Sequence, residues 1–230
     1  MAREQGTMTP KEVQVVERLR PQWKDITDRL VSWDHDTEAE AMFEEIVQRY
    51  RTGDGRSYHN LFHIDRMLTF VDKFKYPSTN IAALKAAIFG HDIVYVPGSQ
   101  TNEEESAEVF GDMMGRMGVF EFETDEIKRL ILITKDHKVP SWDSDGDLIV
   151  DADFSIFAAS EDEYDEYSQG IRQEYVGSGR VSEEEFRKVR AGLLQGWIDQ
   201  ENIFLIPEVR AQSQSQAIVN LKRELARLTV

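Results

Sequence analysis

Apolar residues recur at helical spacing along nearly the whole chain, and the period-two alternation of a strand is weak everywhere. That pattern predicts an all-α fold, a compact helical bundle, because helices without a sheet must bury their apolar stripes on one another. Thr9-Pro10 reads as an N-cap and a first-turn proline, opening an amphipathic helix to about Leu30. Thr37 is expected to cap a second helix, with Ala41, Phe43, Ile46, Val47 and Tyr50 on its apolar face and Gly53 and Gly55 breaking it.

A third helix is expected from about Ser57 to Phe74, with Phe62, Met67, Phe70, Val71 and Phe74 at helical spacing, ending at Pro77-Ser78. A fourth covers about Asn80 to Tyr95. Its Ala82, Ala83, Ala86, Ala87 and Gly90 are small enough for a neighbouring helix to approach closely, and Pro97-Gly98 makes a turn. Further helices are expected near Glu103–Met117, Thr124–Asp136, Phe154–Ser160, Glu163–Tyr175, Ser182–Gln200 and Glu208–Leu228, with Asp147–Val150 as one short extended piece. No repeat or linker divides the chain. One domain over 1–230 is expected, with a core of about 38–228 and the first helix packed on it.

With 40% hydrophobic residues and 230 positions, the chain can bury a full core. No apolar run approaches the roughly 18 to 20 residues that cross a bilayer, and the start lacks an apolar signal stretch. A cytoplasmic protein is the expectation. The 43 acidic residues against 27 basic ones give a net charge of -16. That surface repels nucleic-acid polymers and anionic membranes. It leaves room for a small phosphorylated substrate, since a bound metal reverses the local field. Cysteine is absent, so thiolate nucleophiles and cysteine-held zinc are excluded, and any metal must sit on nitrogen and oxygen.

Five histidines remain as chemistry. His59 and His63 stand four apart on the expected third helix, so both imidazoles should share its inward face with Met67 and Phe70. His91 directly precedes Asp92 late in the alanine-rich helix. Lys135-Asp136-His137 closes an apolar segment, and Asp151 and Asp153 stand inside the apolar stretch around Val150-Asp151-Ala152-Asp153-Phe154. Buried carboxylates are costly unless paired or metal-bound, which separates these two from the solvated helix start Glu161-Asp162-Glu163. Asp151 also fits an N-cap. Asp143-Ser144-Asp145-Gly146-Asp147 invites a calcium reading, but its glycine comes too early and no glutamate closes the loop, so a polar turn is expected.

The order His63, His91-Asp92, Asp153 resembles the H…HD…D pattern of the HD-domain superfamily. The stretches YHNLFHIDRML, AAIFGHDIVY, NEEESA, ITKDH, VDADFSIF, IRQEY and AIVNLKREL are similar to a bacterial branch of metal-dependent HD phosphohydrolases, over roughly residues 38 to 228. The resemblance implies an all-helical fold with one divalent metal on His63, His91, Asp92 and Asp153, and cleavage of a phosphate ester, often of a nucleotide. Asp153 fits the Ala-Asp-aromatic context better than Asp151. Gly90 stands where that branch more often carries a bulky residue, which would widen the pocket.

Two imidazoles and two carboxylates suit Mn, Fe, Co or Ni better than Mg. Such an ion would activate water for attack on phosphorus, with Asp92 as ligand and proton acceptor. His59, Lys135 and His137 are candidates for the phosphate-facing shell, and Glu103 for orienting water or a leaving group. No G-x-S-x-G, P-loop or G-x-G-x-x-G competes. Two other readings stand beside the hydrolase. A di-iron oxygenase on the same fold generally needs two more histidines between the HD pair and the last aspartate, and only His137 lies there. A non-catalytic nucleotide-binding module would have less reason to keep all four ligands.

Overall fold

Thr9 opens the first helix as the sequence predicts: its hydroxyl accepts the Glu12 N–H, the Glu12 carboxylate answers the Thr9 N–H at 2.8 Å, and Pro10 takes the first turn. The computed structural model describes residues 8–51, 55–74 and 78–229. They form ten α-helices: α1 Pro10–Leu30, α2 Asp36–Arg49, α3 Leu61–Phe74, α4 Ile81–Gly90, α5 Asn102–Arg116, α6 Glu121–Ile133, α7 Ser144–Asp153, α8 Glu161–Arg172, α9 Glu183–Ile198 and α10 Pro207–Leu228. No strand occurs among the described residues. A 3-10 turn, Phe154–Ala158, follows α7, and a π-helical turn, Gln173–Gly177, follows α8.

α4 is the hub. It packs against α1, α3, α5, α6 and α7, and all of its residues except Ile81 and Lys85 are buried. A helix apolar all round belongs in the middle of a bundle. Gly90 shows how closely its neighbours come, since a Cβ there would overlap the Phe110 ring and stand 2.9 Å from Ile131. The missing side chain of Gly90 therefore serves helix packing, and the expectation that it widens the pocket is overturned. α1 lays Val15, Leu19, Trp23, Ile26 and Leu30 on the hub side, each burial stabilising by about 1.5–3 kcal/mol. The Trp23 indole N–H donates to the Ala39 carbonyl at 2.9 Å and fixes α1 to α2.

Several boundaries differ from the sequence expectation. α2 starts at Asp36, with His35 rather than Thr37 at the cap, and Asp36 and Glu38 supply first-turn charge to the bare amides. Ala39 and Met42 are buried there while Ala41 is exposed. α3 begins at Leu61, not Ser57, because the Glu174 carboxylate takes the Ser57, Tyr58 and His59 N–H groups. Phe62 is correspondingly turned outward.

α4 stops at Gly90 rather than Tyr95, since the Asp92 N–H leaves the helix ladder for the Tyr50 hydroxyl at 3.0 Å. α6 begins at Glu121 and ends at Ile133, so Lys135 and His137 lie beyond it. Asp147–Val150 is helical, and 143–147 is no free polar turn. Asp143 caps α7 by accepting the Gly146 N–H at 2.9 Å and pairs with Arg129, and Asp145 accepts the Asn80 N–H at 3.1 Å. The segment after Arg172 winds as a π turn, carrying Glu174 inward. Gly53 and Pro77 lie outside the described residues.

Candidate metal centre

Three elements deliver the centre. His63 comes from the buried face of α3, His91 caps the C-terminus of α4 with Asp92 next to it, and Asp153 ends α7. The early end of α4 is what aims the pair. The Asp92 amide is held by Tyr50, and Arg56 donates to the Asp92 carbonyl at 2.7 Å and to the His59 carbonyl at 2.8 Å. Buried Arg56 also lies over the Tyr50 and Tyr95 rings. One guanidinium thus ties together the backbones that carry His59 and Asp92.

The His63 and His91 Nε2 atoms face each other at 3.1 Å. Asp153 Oδ1 stands 3.2 Å from His63 Nε2, and Asp92 Oδ2 stands 3.1 Å from His91 Nε2. Donor atoms of His63, His91 and Asp153 all lie within 4.8 Å of one another. Asp92, the fourth expected ligand, touches His91 but stands outside that three-residue group. An octahedral ion with bonds of about 2.1 Å sets adjacent donors about 3 Å apart, so these separations fit one cation.

The tautomers agree with that fit. His91 Nδ1–H donates to the Ile88 carbonyl at 2.9 Å, which leaves Nε2 for the centre. Two facing imidazole nitrogens need a proton or a cation between them. His63 Nδ1 is buried without a hydrogen-bond partner.

Charge is shared unequally. Burial lowers His63 below the usual histidine value. Burial also works against a charged His91, but the adjacent Asp92 carboxylate and then Asp153 outweigh it and push His91 up to about 9. Burial likewise opposes ionisation of Asp92 and Asp153, yet the imidazoles hold both well below the ordinary carboxylate range. The balance favours a charged His91 beside the ionised Asp92 carboxylate.

Asp151 takes no part in this group. Its carboxylate accepts the Leu205 and Ile206 N–H groups at 2.7 and 2.9 Å, fastening α7 to the start of α10. Burial nevertheless raises it to about 7, against those two bonds.

The outer residues divide. His137, in the left-handed region at φ 55°, places Nε2 3.0 Å from Asp153 Oδ2. His59 lies before α3, partly open, with Nδ1 2.6 Å from Glu174 Oε2 and its ring stacked on Tyr95. The shared helix face expected for His59 and His63 is therefore replaced by a bend, although their rings remain 5.9 Å apart. Burial lowers His59, but Glu174 outweighs it and the net direction is up. Glu103 is half-buried at the start of α5, and its carboxyl is raised by burial and then by the charge of Asp92. Lys135 is drawn away to the Gln100 carbonyl at 2.7 Å and to Glu104.

Sequence reasoning did not single out Glu174, Tyr95 or Arg56. Glu174 is almost fully buried, accepts three backbone N–H groups and the Tyr95 hydroxyl, and sits 115 residues from His59. Glu174 lies within the IRQEY stretch, but nothing in that stretch points to His59 as its partner. A cavity of about 650 Å³ reaches His59, His137 and Asp153 at one end and continues between Phe154, Phe157 and Trp197. No helix among the described residues is long and apolar enough to cross a membrane. No family model, no curated protein and no solved structure matches this chain.

Proposed function

We propose that this chain is a metal-dependent phosphohydrolase that cleaves a phosphate ester of a small molecule, with one divalent ion on His63, His91, Asp92 and Asp153. The observation that carries the reading is the convergence of two imidazole Nε2 atoms and a carboxylate from three separate helices, with the carboxylate, Asp153, lining a substrate-sized cavity. The resemblance of the H…HD…D order to HD-domain hydrolases supports the same chemistry. When bound, the ion supplies Lewis acidity toward a phosphoryl oxygen and toward water. The two nitrogen donors favour Mn, Fe, Co or Ni over Mg.

The chain's own groups do the rest. The Asp92 carboxylate, ionised at neutral pH, accepts the proton of the attacking water. His59, whose charged form Glu174 favours, lines the cavity and offers its outer ring N–H to a phosphoryl oxygen. His137 holds the outer oxygen of Asp153 and keeps that carboxylate turned to His63. Glu103 is available to orient water. Lys135, paired with Glu104, acts at most through the loop it anchors.

Phosphate release from a panel of phosphomonoesters and nucleotides, with Mn²⁺, Co²⁺, Ni²⁺ and Mg²⁺ in turn, tests the reading. Turnover is expected with one of the first three metals and is lost in Asp92→Ala. Equal turnover by Asp92→Ala would sink the site, and two irons per chain with oxygen consumption would replace hydrolysis by oxygenation.

A further inference from the structure

We infer that the substrate is a phosphate monoester whose organic part is a flat, largely apolar group seated in the cavity beside Asp153, an inference that rests on the phosphohydrolase reading. The walls carry it. Phe154 stacks on Phe157 with centroids 4.9 Å apart, and Trp197 lies 4.8 Å from Phe157 and 5.9 Å from Phe154. These rings present faces and edges to the same space, which is how proteins hold planar apolar groups. Val189 and Leu193, one turn apart on α9, complete the rim while 57% and 49% exposed. Large apolar side chains left open at the mouth of a cavity mark a contact surface for an apolar ligand.

The charges point the same way. Among the described lining residues there is no lysine and one arginine, Arg190. Its guanidinium is already engaged: Nε donates to Glu224 at 2.8 Å, and Nη2 to the Tyr167 hydroxyl at 2.9 Å and to Glu224 at 3.1 Å. Glu185 adds a negative charge to the lining. A di- or triphosphate chain needs several free cations, and beyond the two histidines the described walls offer it none. A single phosphoryl group needs only the end of the cavity, where His59, His137 and Asp153 stand.

The test compares 1-naphthyl phosphate, glycerol 2-phosphate and ATP as substrates of the metal-loaded protein. It adds calorimetric titration of 1-naphthyl phosphate into metal-free protein, and the variant Val189→Ser/Leu193→Ser. Both positions are surface-exposed, so the variant should keep the wild-type melting profile. The expected result is a kcat/KM for 1-naphthyl phosphate at least about tenfold above the other two, and a fall of about tenfold in that preference when the apolar rim is removed.

Equal or better turnover of ATP or glycerol 2-phosphate, or a preference unchanged in the rim variant, overturns the inference while leaving the hydrolase standing. If no phosphate ester is hydrolysed but 1-naphthyl phosphate binds the metal-free protein and the rim variant weakens it, the hydrolase reading falls and the ligand class survives. Neither turnover nor binding overturns both.

Discussion

Glu174 holds His59 at two points: Oε1 accepts the His59 backbone N–H at 2.9 Å, and Oε2 stands 2.6 Å from ring Nδ1. The same Oε1 accepts the amides of Ser57 and Tyr58, so one carboxylate both bends the chain before α3 and favours the charged form of the imidazole that the bend exposes. Burial favours a neutral His59, and Glu174 reverses that preference.

Glu174→Gln separates the two tasks. The amide oxygen keeps the backbone contacts, while the charge opposite Nδ1 is lost. The His59 pKa should fall, because burial then meets only the weaker opposition of the Asp92 and Asp153 charges, and the cationic fraction at neutral pH should fall with it. If His59 faces the phosphoryl group, kcat drops by about 10²-fold, and the basic limb of the pH profile moves to lower pH. Histidine NMR titration reads the shift directly. An unmoved His59 resonance would dismiss the coupling.

His137 is the one non-glycine residue with a left-handed backbone among the described residues. That conformation costs about 1 kcal/mol or more, offset here by the contact with Asp153 and the ring packed 4.3 Å from Phe154. His137→Gly relieves the backbone and removes the imidazole. Stability should change by less than about 1 kcal/mol in urea unfolding, while metal affinity falls about tenfold as Asp153 loses its outer partner. Unchanged metal affinity by calorimetry would reduce His137 to a packing residue.

The contrast between these two histidines shows what the sequence exposes. A helix with a regular apolar stripe and a local cap, such as the one that Thr9 and Glu12 open, is visible because cause and effect lie within a few residues. His63, His91 and Asp153 stand out as polar groups set among apolar neighbours, and the structure brings those three together. The bend at 57–60 depends on Glu174, and α7, part of which reads as an extended piece in sequence, depends on an Asp143 cap braced by Arg129. The choice between Asp151 and Asp153 turns on the amides of Leu205 and Ile206. Each decision is made by a partner distant in sequence, where periodicity carries no information.

Gly90 offers a packing test beside the metal centre. In Gly90→Ala the new Cβ would press into the Phe110 ring and against Ile131, and overpacking of this kind costs about 1–3 kcal/mol. A melting point lower by about 2–4 °C per kcal/mol is expected for a chain of this size. His91 follows directly, so metal binding should weaken in the same variant. Native stability in Gly90→Ala would mean that Phe110 can yield.

The Arg190–Glu224 pair under the cavity floor gives a pH dependence independent of any metal. Both side chains are nearly fully buried, and the Tyr164 hydroxyl donates to Glu224 at 2.5 Å. Burial raises a carboxyl, but the charge and hydrogen bonds of Arg190 outweigh it and hold Glu224 below the ordinary glutamate value of 4.5. A lowered folded-state value means that the unfolded chain binds the proton more readily. The contribution is therefore complete above pH 4.5 and is lost as pH falls toward the folded value.

In Glu224→Gln that acid-sensitive contribution disappears. The variant should be less stable by about 3 kcal/mol at pH 7, because Arg190 is left buried without its counter-charge. The gap from the wild type should narrow as pH drops below 4.5. Urea unfolding of both proteins from pH 7 to 3 measures it, and two parallel stability curves across that range would show that Glu224 does not titrate with folding.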